Sequence, residues 1–202
     1  SGYIRSIKNS KLQSVRTMNF RTCFLIIAFF IFNRIASAGT TPMETPVQDD
    51  KTTAIECEYQ LVEKDLNKFN DNLPAKGTYH YKVYLPPGYS SDKDTSYPCI
   101  FVASPGGNAS LGNLTEVSRN DKFIVVMLVE SKNGPNEPNM GNFLAAHDDA
   151  VKRFRIQEGL KIATGFSGGA RDSSRNAGMR SGFCGIILQG AGFAQHTEGP
   201  RK

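Results

Sequence analysis

The sequence predicts an α/β fold: a three-layer, doubly wound, mostly parallel sheet. Three observations predict it. Cys99 to Ala103, Phe123 to Val129, Leu160 to Ala163 and Gly185 to Leu188 are short runs that stay apolar rather than alternating, as strands buried on both faces do. Stretches with helical spacing follow the second and third of these runs, as right-handed crossovers require. Loops rich in small residues, Ser104–Asn108 and Gln189–Phe193, follow two of the runs. In such sheets the ligand site lies outside the carboxyl ends of the strands.

The chain opens with residues 1–17, which precede Met18 and read as upstream translated sequence. Residues 18–38 read as a secretory signal peptide: Arg21 near the start, ten apolar residues from Cys23 to Phe32, then Ala36-Ser37-Ala38. The apolar run is shorter than the ~20 residues a spanning helix needs. A secreted or periplasmic protein with no stable membrane span is expected, with cleavage after Ala38. Residues 39–54, rich in Thr, Pro and Asp, read as a disordered linker. Residues 55–202 are left for the folded domain.

Within that domain, Leu61, Val62, Leu66 and Phe69 recur at helical spacing, which predicts an amphipathic helix from Cys57 to about Asn70. Tyr79, Tyr81, Val83 and Leu85 alternate with His80, Lys82 and Tyr84 as in a half-buried strand, which Pro86-Pro87-Gly88-Tyr89 ends. Phe143, Ala146, Ala150, Val151 and Phe154 form the stripe of a helix over 142–155, with Asn142 as its N-cap. Gly168 to Met179 reads as the next helix.

Composition excludes several classes. Of the 24 Lys and Arg residues, six fall in residues 1–38, where none of the 19 acids falls. The rest of the chain is near neutral, so the basic balance is no argument for a nucleic-acid partner. Cys57, Cys99 and Cys184 allow one disulfide at most, and Cys99 and Cys184 read as small buried hydrophobes. No Cys/His cluster has zinc spacing, and no metal or cofactor is expected. Asn108-Ala109-Ser110 and Asn113-Leu114-Thr115 are glycosylation sequons.

The third apolar run leads into Gly165-Phe166-Ser167-Gly168-Gly169, with a helical stretch behind it. With 19 glycines in 202 residues the bare Gly-x-Ser-x-Gly pattern is weak. The strand before it and the helix after it give it weight, since this is the arrangement of a nucleophile elbow. Gly165 and Gly169 lack a Cβ, so strand and helix can approach closely.

Val83-Tyr84-Leu85-Pro86-Pro87-Gly88-Tyr89, then Tyr97-Pro98 opening an apolar strand, then Ala163-Thr164-Gly165-Phe166-Ser167-Gly168-Gly169-Ala170-Arg171 resemble the secreted esterases of the α/β-hydrolase superfamily. The likeness is to the polyhydroxybutyrate depolymerase-like and the feruloyl or acetylxylan esterase-like groups, over about residues 79–193. It implies Ser167 as nucleophile, an ester-bearing small molecule or polymer as substrate, and an acyl-enzyme intermediate. It implies one oxyanion donor from the Gly168 N–H and a second from the loop after the Cys99–Ala103 strand. This family commonly has His-Gly there. The chain has Ser104-Pro105, and Pro105 has no N–H, so Gly106 or Gly107 must donate. A catalytic acid and then a histidine should follow on later loops. Lys202 is only 35 residues past Ser167, which reads as a C-terminally incomplete domain without acid and base.

His196 is the only histidine after Ser167 and the candidate base. His80 reads as solvated on a polar strand face, and His147, Asp148 and Asp149 as an exposed helix face. Arg171 and Asp172 read as structural contacts. Two other functions stay open: a non-catalytic hydrolase-fold remnant that binds without turnover, and a peptidase of the same fold.

Overall fold

The computed structural model describes residues 46–60, 76–134 and 136–194, all within one compact unit, Thr45–Lys202. The expected leader, residues 39–45 of the expected linker and His196 lie outside the described residues. In chain order the elements are β1 (Thr52–Gln60), β2 (Lys76–Tyr84), β3 (Tyr97–Ala103), α1 (Leu114–Asn120), β4 (Ile124–Leu128), α2 (Asn136–Arg153), β5 (Ile156–Phe166), α3 (Gly168–Met179) and β6 (Phe183–Gln189).

They form one six-stranded sheet in the order β1-β2-β4-β3-β5-β6. β4, β3, β5 and β6 run parallel, and β1 and β2 form an antiparallel edge. The α/β, doubly wound architecture expected from the apolar runs is the one observed. Each central strand feeds both faces. Cys99, Phe101 and Ala103 of β3 and Ile124, Val126 and Leu128 of β4 pack in one core with Phe143, Leu144 and Ala146 of α2 and Ala177 and Met179 of α3. Ile100, Val125 and Met127 point the other way, into a smaller core with Leu111, Leu114 and Phe123. With a side-chain period of 2, such strands must be apolar at every position.

Three expectations need correction. Cys57 to Gln60 is the end of a strand, not the start of a helix; residues 61–75 lie outside the described set. Ile55, Cys57 and Tyr59 are buried while Glu56, Glu58 and Gln60 are exposed, a period of 2 that extends the β-branched start Thr52-Thr53. The strand thereby begins inside the segment expected as linker, and Asp50 ahead of it is held by Tyr84 and Arg119. Helix α2 starts at Asn136, so Asn142 is interior and fully buried rather than a cap. Pro138 falls in the first turn, where a missing N–H costs nothing. Finally, Cys184 is exposed on the edge strand, while Cys57 and Cys99 are buried; all three are free thiols.

Helix α2 also overturns the expectation for its polar triplet. His147 is buried, with its ring 5.4 Å from Phe101, 5.6 Å from Phe143 and 6.0 Å from Phe183. Nδ1 is 2.9 Å from Asp148 Oδ1 and Nε2 is 3.2 Å from Nζ of the buried Lys161. Desolvation lowers the His147 pKa and holds the ring neutral. Nδ1 therefore donates to Asp148 and Nε2 accepts from Lys161. Burial alone would raise the Asp148 pKa, but Arg180, bonded through Nε at 2.9 Å and a second nitrogen at 2.7 Å, and His147 together pull it far below the usual range.

Candidate active site

Ser167 occupies the junction between β5 and α3. β5 runs between β3 and β6, pairing Ala103 with Gly165 on one side and Phe166 with Gln189 on the other. The Ser167 N–H continues that ladder to the Gln189 carbonyl at 2.7 Å. One residue on, the chain is helical, and the Ser167 carbonyl accepts from Ala170 N at 3.0 Å. The turn between them is made at φ 52°, ψ −117° on Ser167 itself. This is the left-handed side of backbone space, which favours glycine, and a non-glycine residue there costs about 1–3 kcal/mol.

The surrounding glycines allow that turn. A Cβ on Gly165 would overlap the backbone of Gly169 and stand 2.6 Å from the Ala103 oxygen. A Cβ on Gly169 would overlap that same oxygen and stand 2.9 Å from Ser104 N. Strand β5, helix α3 and the end of β3 thus meet backbone to backbone. Ser173 Oγ donates to the Thr164 carbonyl at 2.6 Å and pins the helix to the strand one turn further on. Among the described residues the Ser167 hydroxyl caps nothing and is partly exposed.

Two loops face this junction. In the loop after β3, Gly107 N donates to Ser104 O at 3.1 Å, closing a turn with Gly107 at φ 73°. That N–H points into its own turn, which leaves Gly106 as the glycine of this loop with a donor to offer. The loop after β4 was not foreseen as part of the site. Asn133 N donates to Pro105 O at 2.8 Å, and the Asn133 carboxamide lies against the Cα of Gly168. Asn133, Asn136, Asn139 and Asn142 recur every third residue, which puts Asn139 and Asn142 on one helical face but carries no signal for the contacts of Asn133.

Asp172, one turn into α3, is buried beneath this loop with Ser131 Oγ at 3.5 Å and Asn139 Nδ2 at 3.4 Å. Desolvation raises its pKa. Its structural role is the expected one; Arg171 is exposed. The described histidines are elsewhere. His80 sits on β2, three strands from β5, about 14 Å at the usual strand spacing. It bonds Glu130 through Nδ1 at 2.7 Å and faces Glu56 at 3.4 Å. His147 is bonded to Lys161, in the middle of β5 and six residues before Ser167. No group of His, Cys, Asp and Glu among the described residues could hold a metal ion, and no described helix is long and apolar enough to cross a membrane.

No family model matches the chain, and no curated protein matches it. Solved structures do. It is similar to a ferulic acid esterase at 13% identity, covering 67% of this chain and 59% of that one, with a TM-score of 0.46. It is similar to a ferulic acid esterase of Anaeromyces mucronatus at 19% identity, covering 67% and 57%, TM-score 0.43. It is similar to an esterase of Rhizomucor miehei at 11% identity, covering 69% and 44%, TM-score 0.49. The chain therefore spans less than two thirds of the length of each.

Proposed function

We propose that this chain carries the nucleophile of a secreted serine hydrolase that acts on carboxylic esters through an acyl-enzyme on Ser167. The observation that carries the reading is the φ 52°, ψ −117° conformation of Ser167 between β5 and α3, at the turn where Gly165 and Gly169 meet each other and the Ala103 backbone. A strained non-glycine residue persists only where its surroundings over-determine it, and such residues cluster at functional sites. In this reading Ser167 Oγ attacks the ester carbonyl, the oxyanion forms against the Gly168 N–H at the start of α3, and the alcohol leaves. Water then releases the acid. The helix N-terminus favours the developing negative charge.

The serine proton needs an acceptor. The base is His196, outside the described residues, or a group not in this chain. Without one, general-base help worth about 10²–10⁴-fold is lost. A second reading stays open, a hydrolase-fold module that binds esters without turning them over. The same nucleophile would also serve a peptidase.

The test is p-nitrophenyl acetate turnover and fluorophosphonate labelling of residues 39–202, with Ser167→Ala and His196→Ala. Labelling at Ser167 with slow turnover supports a nucleophile lacking its base. Fast turnover lost in both variants makes His196 the base. Labelling that survives Ser167→Ala removes the assignment. Turnover of a p-nitroanilide in preference to the ester would point to the peptidase. N-terminal sequencing of the exported protein checks the leader, with Gly39 expected first.

A further inference from the structure

We propose, resting on the reading of Ser167 as nucleophile, that the Asn133 carboxamide is the second oxyanion donor of this site. Among the described residues of the loop after β3, Gly106 is the one glycine whose N–H is not already spent. Pro105 has no N–H, and the Gly107 N–H is spent on the Ser104 carbonyl. Asn133 reaches both sides of the gap this leaves. Its N–H holds the Pro105 carbonyl at 2.8 Å. Its side chain lies against Gly168: a Cβ there would overlap Oδ1 and stand 2.7 Å from Cγ and 3.3 Å from Nδ2. Gly168, whose N–H is the first donor, is thus the residue that makes room for the carboxamide.

The loop that presents Asn133 is held from below. Asn142 Oδ1 accepts from Glu130 N and Ser131 N, both at 3.1 Å, and its Nδ2 donates to His80 O at 2.8 Å. Asn139 clamps the next residue, accepting from Lys132 N at 2.7 Å and donating to Lys132 O at 2.8 Å. The backbone is therefore fixed up to Asn133, while among the described residues the Asn133 side chain itself spends its N–H groups on no partner. A half-turn of the carboxamide exchanges its two ends and presents N–H to the site.

In the step served, a bond forms from Ser167 Oγ to the carbonyl carbon, the C=O π pair moves onto oxygen, and the serine proton passes to the base. The new charge is shared between Gly168 N–H and Asn133 Nδ2. A fluorophosphonate follows the same course at phosphorus: the Oγ–P bond forms, P–F breaks, and fluoride leaves with the electron pair. At about pH 9 hydroxide takes the proton in place of a catalytic base.

Labelling rates at that pH, followed by intact mass, test the proposal on the full chain. Asn133→Ala should slow labelling by about 10²–10³-fold, the usual cost of one lost oxyanion donor. Asn133→Asp, of the same shape, should slow it at least as much, because a carboxylate has no N–H to give and repels the oxyanion. It decides the matter if Asn133→Ala fails to fold. Thermal melting of these variants should stay near that of the wild type, since Asn133 is exposed. Labelling of either folded variant within twofold of wild type overturns the proposal and leaves the donor to Gly106. A wild type that is not labelled, or a Ser167→Ala variant that is, overturns the nucleophile reading instead.

Discussion

Gly169, in the first turn of α3, lies against the carbonyl of Ala103 at the end of β3: a Cβ on Gly169 would overlap that oxygen and stand 2.7 Å from the carbonyl carbon. Neither partner is a side-chain tip that could swing aside. Gly169→Ala and Gly165→Ala should therefore each lower the unfolding free energy by about 1–3 kcal/mol or more, as overpacking does. Gly168→Ala should cost less stability, because its added methyl meets an exposed side chain, Asn133, rather than backbone. Urea unfolding of the three variants checks the order. A Gly168→Ala variant as unstable as Gly169→Ala would contradict it.

The loop beneath the site gives a second expectation. Asn142 is fully buried and bonds Glu130 N, Ser131 N and His80 O. Asn142→Ala removes the acceptor of Glu130 N and Ser131 N, while His80 O keeps Val129 N as a donor at 3.3 Å, and each buried unsatisfied group costs about 1–3 kcal/mol. A loss of several kcal/mol is expected, with faster amide exchange at Glu130 and Ser131. Asn142→Asp keeps the acceptor and loses only the donor to His80, so the Glu130 and Ser131 amides should stay protected. Exchange at those amides measured by mass spectrometry separates the two variants.

What could be read from the sequence was what is local. β3, β4 and α3 were legible because a run of apolar residues or three glycines in five residues states its own geometry. The Cys57 region misled because Leu61, Val62, Leu66 and Phe69 supplied a helical period that masked the alternation of Ile55, Cys57 and Tyr59. His147-Asp148-Asp149 looked like a solvated face because the cage that buries His147 comes from Phe101, Phe143, Lys161 and Phe183, three of them on other elements. Within the site, the strand-to-helix turn at Ser167 was local and legible. The contacts of Asn133 with Pro105 and Gly168 join segments far apart in sequence, and no short-range pattern encodes them.

Strand β6 ends the sheet among the described residues, and apolar side chains remain open near it: Ile187 is 51% exposed, Phe166 61% and Phe193 58%. An unpaired strand edge beside apolar surface is a template for association. Residues 39–202 should express poorly or form oligomers at micromolar concentration. Ile187→Lys should raise the monomer fraction in light scattering without changing the far-ultraviolet circular dichroism. A wild type that is monodisperse and melts cooperatively as a monomer would contradict this.

The buried His147 gives stability a pH dependence whose sign follows from its surroundings. Its folded pKa lies below the ordinary 6.5 because desolvation disfavours the charged ring, with Lys161 and Arg180 opposing a further positive charge and Asp148 favouring it. Above about pH 6.5 the ring is neutral in both states. As pH falls through that value the unfolded chain takes up a proton that the folded chain refuses, so stability is lost toward acid, by about 1.4 kcal/mol for each unit by which the two pKa values differ. Asp148, also depressed, contributes its loss only at lower pH, below its ordinary 3.8. His80 acts in the opposite direction: Glu130 raises its pKa, so its contribution is full below 6.5 and fades as pH rises through its folded value. With a side chain 47% exposed, its contribution is diluted by solvent. His147→Gln removes the titrating ring and should flatten the fall in urea midpoint between about pH 7 and pH 5, while His80→Gln should steepen it slightly. An unchanged slope in His147→Gln would mean that burial does not hold the folded ring's pKa below that of the unfolded chain.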